Sequence, residues 1–291
     1  MILVAGATGL LGGQIARQLL AHGKAVRIVV RGGSTYEPLV TAGAEAVHGD
    51  LKDQNSLRAA CRGVEAVITT ANAIGRSGVD NLESVDHYGN RNLVDAAAAE
   101  GVRQFVFISA LGAATDNPMP LLRAKGDAEE HLQASGMTWT VLQPNFYMDL
   151  WIPAVVGVPA LAGQPVTLVG DGKRQHSMVD AQDVASYAVA ALDHDEAHNQ
   201  TLRIGGPHPV AWLDVVAAFE KELGREVTVR TIAPGDPIPG LPDIVSELAA
   251  ALASYDSPMD VSELSRTYGV APTTLADFVH RFVATSRQRV G

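Results

Sequence analysis

The chain has 291 residues, of which 47% are hydrophobic and 19% charged, and its formal net charge is -10. This composition excludes a disordered chain, and the acidic balance excludes a phosphate backbone as the main partner, because nucleic-acid binding needs a basic face. The length predicts about two domains, or one large α/β unit with an attached lobe. With one cysteine, Cys61, the chain has no internal disulfide and no thiolate metal cluster. No basic stretch precedes the apolar start, so we expect a cytoplasmic protein without a signal peptide.

Short apolar strands alternate with helical segments through the first half of the chain. The predicted strands cover residues 2–5, 25–30, 44–48, 64–69, 104–109 and 139–142. The predicted helices between them cover residues 11–21, 56–61, 82–100 and 124–134. This alternation is typical of βαβ units, and continuously apolar strands indicate a sheet that is covered on both faces. The sequence therefore predicts an α/β fold: a Rossmann-type doubly wound parallel sheet with a smaller, mixed C-terminal lobe.

The first strand runs directly into a glycine-rich turn, Gly-Ala-Thr-Gly-Leu-Leu-Gly, and a helix follows. Gly6 permits the tight turn, Gly9 lets the backbone approach a pyrophosphate, and Gly12 allows the helix to pack close to the strand. The N-terminus of that helix offers N–H groups to phosphates. A glycine-rich turn without a ligand is the alternative, but the position between strand and helix favours dinucleotide binding. The predicted contacts are Gly6, Thr8, Gly9, Leu10, Leu11 and Gly12.

The end of the second strand bears on the choice of dinucleotide. A carboxylate that holds the ribose of NAD is expected about 20 residues after the glycines. At the corresponding strand end the sequence has Arg31. A guanidinium suits a 2′-phosphate and stacks on adenine. The sequence thus favours NADP(H), with NAD(H) and a merely solvated Arg31 as the alternatives.

These residues resemble a known family. The turn at residues 6–12, Arg31, the Gly49-Asp50-Leu51 segment and residues 177–185 are similar to the NmrA-like group of atypical short-chain dehydrogenases. That group includes NADPH quinone oxidoreductases, isoflavone-reductase-like enzymes and redox-sensing regulators, and the resemblance extends over essentially the whole chain. The resemblance implies further cofactor contacts after the strands. These are Asp50 and Leu51 beside the adenine, Thr70, Ala71 and Asn72 along the ribose and pyrophosphate, and Pro144, Asn145 and Phe146 beside the nicotinamide.

The regular alternation of strands and helices ends near residue 144, and this suggests how the chain is divided. We expect residues 1–145 to form the dinucleotide-binding domain, with residues 176–195 packing back on it. The substrate-binding lobe would consist of residues 146–175 and 196–291. The uncharged stretch 150–170 is interrupted by proline and glycine, so it is interpreted as a buried or cleft-lining loop rather than a membrane span.

The catalytic residues of the ordinary short-chain dehydrogenases are only partly present. None of the six tyrosines is followed four residues later by lysine, so the Tyr-x-x-x-Lys pair is absent. By resemblance, Lys125 nevertheless stands at the position of the motif lysine, with Leu121 in place of the tyrosine, and Ser109 matches the active-site serine. Lys125 would bind the nicotinamide ribose and supply positive charge or a proton. A solvated helix lysine and a capping serine are the alternatives.

Two further side chains are weaker candidates for contact with a substrate, Tyr147 and His176. No His-x-x-x-His or paired cysteine suggests a metal site. The helical pattern around residues 261–279 superficially resembles a helix-turn-helix, but it has few cations, and we expect no contact with nucleic acid.

The sequence favours an NADPH-dependent reductase of quinones or related aromatic carbonyl compounds. A quinone needs less acid catalysis than an isolated ketone, because its reduction product is an aromatic phenolate, and this suits a site without tyrosine. Two alternatives stay open: a dinucleotide-binding redox sensor without turnover, and a tailoring oxidoreductase that acts on polycyclic aromatic substrates. We expect a small aromatic or quinone substrate, no membrane partner, and a monomer or homodimer.

Overall fold

The computed structural model describes residues 1–74, 76, 78–241 and 243–290. Within them the chain forms two compact units. The first unit consists of Met1–Pro144, Ala181–Ile204 and Tyr268–Val270, and the second of Asn145–Asp180, Gly205–Thr267 and the residues from Ala271 onward.

The described residues form strands and helices with the following bounds. The strands are β1 (Ile2–Ala5), β2 (Val26–Val30), β3 (Glu45–His48), β4 (Ala66–Thr69), β5 (Gln104–Ile108), β6 (Thr138–Pro144), β7 (Val166–Val169), β8 (Gln200–Ile204) and β9 (Val229–Ile232). The α-helices are α1 (Leu10–Ala21), α2 (Glu37–Thr41), α3 (Gln54–Cys61), α4 (Tyr88–Ala99), α5 (Pro120–Gln133), α6 (Met148–Ile152), α7 (Val158–Leu161), α8 (Ala181–Ala190), α9 (Trp212–Leu223), α10 (Asp243–Leu252), α11 (Ser262–Tyr268) and α12 (Leu275–Val290). Two π-helical segments, Leu82–His87 and Pro153–Gly157, precede α4 and α7.

The first unit is built on a seven-stranded parallel sheet in the order β3-β2-β1-β4-β5-β6-β8. This is the doubly wound order, in which the direction of strand addition reverses between β1 and β4. On the sheet α1 packs against α8, whereas α3, α4 and α5 pack in a row. All residues of β1 and β4 are buried, as expected for central strands covered on both faces. The predicted α/β, doubly wound parallel sheet is confirmed.

The second unit has its own hydrophobic core. A short parallel sheet of β7 and β9 lies in it. The π-helical segment Pro153–Gly157 and the helices α6, α7, α9 and α12 surround the same core. Trp151, Phe219 and Phe278 are among its buried aromatic side chains. This core is separate from that of the first unit, which contains Phe105 and Phe107.

Two features differ from the sequence interpretation. The stretch 150–170 is not a loop: it contains most of α6, a π-helical segment, α7 and β7. Pro153 and Pro159 stand at the first and second positions of two of these short segments, where the missing N–H costs nothing. The strand β8 was not predicted, because its burial is low except at Ile204 and its sequence lacks an apolar run.

The structure also bears on membrane insertion. No helix in the described part of the chain is both long and apolar enough to cross a membrane.

Candidate functional site

The carboxyl ends of the parallel strands bring most of the predicted cofactor residues of the first unit to one edge of the sheet. The glycine turn follows β1, Arg31 follows β2, and Asp50 lies just after β3. In an open α/β sheet, ligands bind outside this edge, at the point where the strand order reverses. In this sheet that point lies between β1 and β4.

Two glycines of the turn, Gly6 and Gly12, are required by the backbone packing, whereas Gly9 is not. Gly6 has φ +86°, and a Cβ there would lie 2.5 Å from Thr70 Oγ1. A Cβ on Gly12 would overlap the Gly6 carbonyl. Gly9 has φ -86° and ψ 172°, which any residue adopts, and its nearest neighbour would be the Gly6 oxygen at 3.3 Å. The fold thus explains Gly6 and Gly12, whereas the missing side chain at Gly9 keeps the N-terminus of α1 open to a ligand.

Gly9→Val is therefore expected to abolish dinucleotide binding while the fold is retained, because the branched side chain would stand where a pyrophosphate approaches. Titration of the dinucleotide by calorimetry or fluorescence measures the binding, and circular dichroism checks the fold. Gly12→Ala is the contrasting variant, since its Cβ meets backbone atoms and thermal unfolding should occur at lower temperature. A folded Gly9→Val protein that binds dinucleotide as tightly as wild type would contradict this assignment.

The charged groups around Arg31 form a cluster that the sequence analysis did not find. The Arg31 guanidinium lies 2.5 Å from Asp80, and the Lys52 ammonium contacts both Asp80 and, at 3.1 Å, Asp50. The hydrogen bonds from Lys52 and Arg31 lower the pKa of Asp80 to about 2. Asp80 is thus held between Arg31 and Lys52 near the end of β2, with a third cation, Arg76, at 3.8 Å. Lys52 could have been found from its position next to Asp50-Leu51, but Asp80 lies in a loop far along the chain and shows no sequence signal.

The loop after β4 is fixed by side chains of the following helices. Thr70, Ala71 and Asn72 are half-buried. The Ala71 carbonyl accepts a hydrogen bond of 3.2 Å from Asn90 Nδ2, and the backbone N–H of Ala73 donates one of 2.9 Å to Asp86 Oδ2. The two side chains that make these hydrogen bonds, Asn90 and Asp86, are buried. The loop that is predicted to contact the ribose and pyrophosphate is therefore held in place by buried side chains of the residues that follow it.

Lys125 is buried, which is unusual for a lysine. Its ammonium donates to the Ile108 carbonyl at 3.3 Å, lies 3.6 Å from Asp86 Oδ1 and stands 5.0 Å from the centre of the Phe107 ring. Burial lowers the pKa of Lys125, and the Asp86 carboxylate counteracts this. Lys125 is therefore not the solvated helix lysine that was the alternative in the sequence analysis.

Ser109 lies beside Lys125 at the end of β5 and is also buried. Its hydroxyl donates to the buried carboxyl group of Glu129, which also accepts hydrogen bonds of 3.0 and 3.1 Å from the amide of Gln143. Burial raises the pKa of Glu129. Lys125 and Glu129 stand one turn apart on α5, so one helix face presents both groups to β5. No motif in the sequence pointed to Glu129.

The remaining predicted residues belong to two places. Pro144 is the last residue of β6 in the first unit, where its carbonyl accepts from Leu111 N at 3.0 Å. Asn145, Phe146, Tyr147 and His176 lie in the second unit. The Asn145 side chain is buried and donates to the Ser257 carbonyl at 2.9 Å.

His176 is fully buried and both its ring nitrogens have partners. Nδ1 lies 2.8 Å from Ser257 Oγ and Nε2 lies 3.1 Å from the Leu252 carbonyl. The Phe146 ring packs edge-on against the imidazole at 5.3 Å. Burial lowers the pKa of His176, which favours the neutral imidazole. This geometry favours a packing role over the predicted contact with substrate.

Tyr147 is the N-cap residue of α6, and burial raises the pKa of its hydroxyl group, which keeps the phenol protonated. It is the one aromatic hydroxyl among the predicted site residues. Among the described residues, no cluster of three or more metal-ligating side chains is found.

Comparison with known proteins gives matches to reductases and to an assembly factor. A family model described as NAD(P)H-binding matches residues 6–195. The NAD(P)H azoreductase of Xenophilus azovorans is 31% identical over 227 residues, which cover 78% of this chain and 75% of that protein. The photosystem II assembly factor Ycf39 of Trieres chinensis is 31% identical over 236 residues, which cover 79% of this chain and 72% of that protein.

Solved structures share the fold. The NADPH-dependent quinone oxidoreductase QOR2 of Escherichia coli, in its complex with NADPH, superposes with a TM-score of 0.80 at 23% identity. The match covers 97% of this chain and 100% of that one. At this level of identity, the comparison establishes a common architecture.

Proposed function

The chain belongs to the NAD(P)H-binding family, within its NmrA-like group, and from this membership we propose that it is an NAD(P)H-dependent reductase of quinones or related aromatic compounds. The single observation that supports a chemical role most directly is the buried Lys125, whose ammonium is paired with Asp86 at the end of β5. Burying a charged lysine costs free energy unless the charge is paired, and titratable groups perturbed by burial and a charged partner cluster at functional sites.

The residues present fit a dinucleotide. Gly9 leaves the N-terminus of α1 uncovered, and the cations Arg31 and Lys52 stand at the end of the neighbouring strand. When bound, the nicotinamide supplies a hydride, which passes to the acceptor. The residues of the protein bind and orient the two reactants and stabilise the negative charge that develops on the acceptor oxygen or nitrogen.

Lys125 is the candidate for that stabilisation. An ammonium has three N–H donors: one is hydrogen-bonded to the Ile108 carbonyl, and a second faces Asp86 at ion-pair distance, 3.6 Å. The third is available in this proposal for a ribose hydroxyl or for the acceptor atom. Because burial lowers the pKa of Lys125, its proton is also given up more readily than that of a surface lysine. Ser109 would then be a positioning residue, since its hydroxyl donates to Glu129.

NADP(H) is the favoured cofactor within this proposal. A 2′-phosphate would meet Arg31 and Lys52 together, and charge-assisted bonds to phosphate are stronger than those to a ribose hydroxyl. Asp80 is the anion that occupies both cations in the structure, so the phosphate would have to replace it. NAD(H) has no 2′-phosphate and would bind without displacing Asp80, so it stays the alternative cofactor.

The proposed reductase is tested by following NADPH absorbance with a panel of quinones, azo dyes and simple ketones. We expect oxidation of NADPH with the quinones or azo compounds and little with isolated ketones, because the site has no Tyr-x-x-x-Lys pair. Tight binding of NADPH with no oxidation by any acceptor would instead support a sensor without turnover. A cytoplasmic location and a monomer or homodimer stay predictions from the sequence.

A further inference from the structure

We propose that Asp86 is a positioning residue of this site: its buried carboxylate holds the ammonium of Lys125 at the end of β5 and keeps it protonated. The inference rests on the proposed reductase function for its purpose, but the pairing itself is tested without any turnover. No feature of the sequence pointed to Asp86, which lies in a helical segment with ordinary polar neighbours.

The two oxygens of Asp86 have different environments. Oδ2 accepts the backbone N–H of Ala73 at 2.9 Å, whereas Oδ1 has no hydrogen-bond partner among the described residues. The side chain is fully buried. An uncompensated buried carboxylate is destabilising, and the cation that faces Oδ1 is Lys125, at 3.6 Å. This distance is within ion-pair reach but beyond a hydrogen bond, so the ammonium is held loosely enough to contact a ligand as well.

A local irregularity of the helix brings Asp86 to this position. Residues 82–87 form a π-helical turn, which begins at an Asn81 capping box and continues into α4. A π-turn inserts an extra residue relative to the α-helix, and such turns are frequent at functional sites. Val85 and Asp86 are the buried residues of the segment. The polar Asp86 thereby faces α5, against which this turn packs.

Asp86 also connects Lys125 with the loop after β4. Its hydrogen bond to Ala73 lies directly after Thr70-Ala71-Asn72, the segment predicted to contact the ribose and pyrophosphate. One carboxylate thus sets the position of both the cofactor loop and the ammonium. Binding of a dinucleotide and the placement of Lys125 are coupled through this side chain.

Among the residues that the structure describes, few other groups act on the charge of Lys125. From β5 it meets the Phe107 ring and the Ile108 carbonyl, and on its own helix α5 the charged neighbour is Glu129. On the π-turn and α5, a second pair, His87 and Asp127 at 3.1 Å, is partly exposed to solvent. Burial lowers the pKa of Lys125, Asp86 raises it more than Glu129 does, and removal of Asp86 should therefore lower it further.

The test is a pH titration of Lys125 in wild type and Asp86→Asn, followed by NMR of the 13Cε-labelled lysines of the full chain. The chain has five lysines, so the spectrum is simple, and Lys125→Met assigns the signal. Asparagine keeps the acceptor for Ala73 N but removes the charge. We expect the midpoint to fall by about one to three pH units, the usual effect of losing an opposite charge at this distance.

A midpoint that is unchanged or higher in Asp86→Asn would overturn the proposal. If that variant does not fold, Glu129→Gln distinguishes the two carboxylates. We expect this variant to shift the Lys125 midpoint by less than about one pH unit. A larger shift would show that Glu129, rather than Asp86, keeps Lys125 protonated. If the protein turns over a quinone, the alkaline limb of the kcat profile of Asp86→Asn should move with the NMR midpoint. A protein without turnover would refute the reductase function and leave the NMR result interpretable.

Discussion

Lys125→Met is expected to lower kcat with an accepted quinone about 100- to 1000-fold, the usual cost of removing one charge-stabilising group at the reacting centre. Methionine keeps much of the length and apolar character of the side chain but removes the ammonium. Burial of Lys125 and its pairing with Asp86 are the structural reasons for expecting a large effect. Single-turnover oxidation of NADPH measures the chemical step without the contribution of product release.

The control for this variant is Lys24→Met, because Lys24 lies at the surface in an exposed pair with Asp193. It should react like wild type. Affinity of Lys125→Met for NADPH should fall much less than kcat, since a single ribose contact is lost. Equal single-turnover rates for Lys125→Met and wild type would exclude Lys125 from the mechanism, and catalysis would then rest on positioning of the reactants alone.

Arg31→Ala is expected to weaken NADPH binding much more than NADH binding. A charge-assisted phosphate contact contributes about 1.5–3 kcal/mol, or roughly 10- to 150-fold in affinity. Lys52 stays in place in this variant and shares the same anion, so the effect belongs at the lower end of that range. Titration of both cofactors against wild type and variant measures the difference.

Two companion variants sharpen this prediction. Arg103→Ala is the control, because Arg103 precedes β5 at the opposite, amino edge of the sheet and is strongly exposed. Asp80→Asn should tighten NADPH binding and leave NADH nearly unchanged, since the carboxylate that competes for Arg31 and Lys52 is neutralised. Equal losses of NADPH and NADH affinity in Arg31→Ala would contradict the 2′-phosphate assignment.

The sequence by itself determined the class of fold and the family. Continuous apolar strands, the glycine turn at residues 6–12 and the alternation of strands with helices are local features, and the doubly wound parallel sheet confirms what they predicted. The resemblance to the NmrA-like group is confirmed by the match to the NAD(P)H-binding family. The strand β1 was predicted with its observed bounds, because all four residues are apolar and buried.

The surroundings of the candidate residues were decided only by the tertiary structure. Asp80 and Asp86 follow β4 in the chain, yet they meet Arg31 after β2 and Lys125 on α5, because parallel sheet order places strands side by side that are distant in sequence. His176 is likewise buried by residues that are distant in the sequence. Phe146 precedes it in the chain, and Tyr255 and Ser257 follow it about 80 residues later. The spacing of apolar residues in a sequence indicates which face of a helix or strand is buried. The partner of a buried charge is set by long-range packing, which local sequence does not encode.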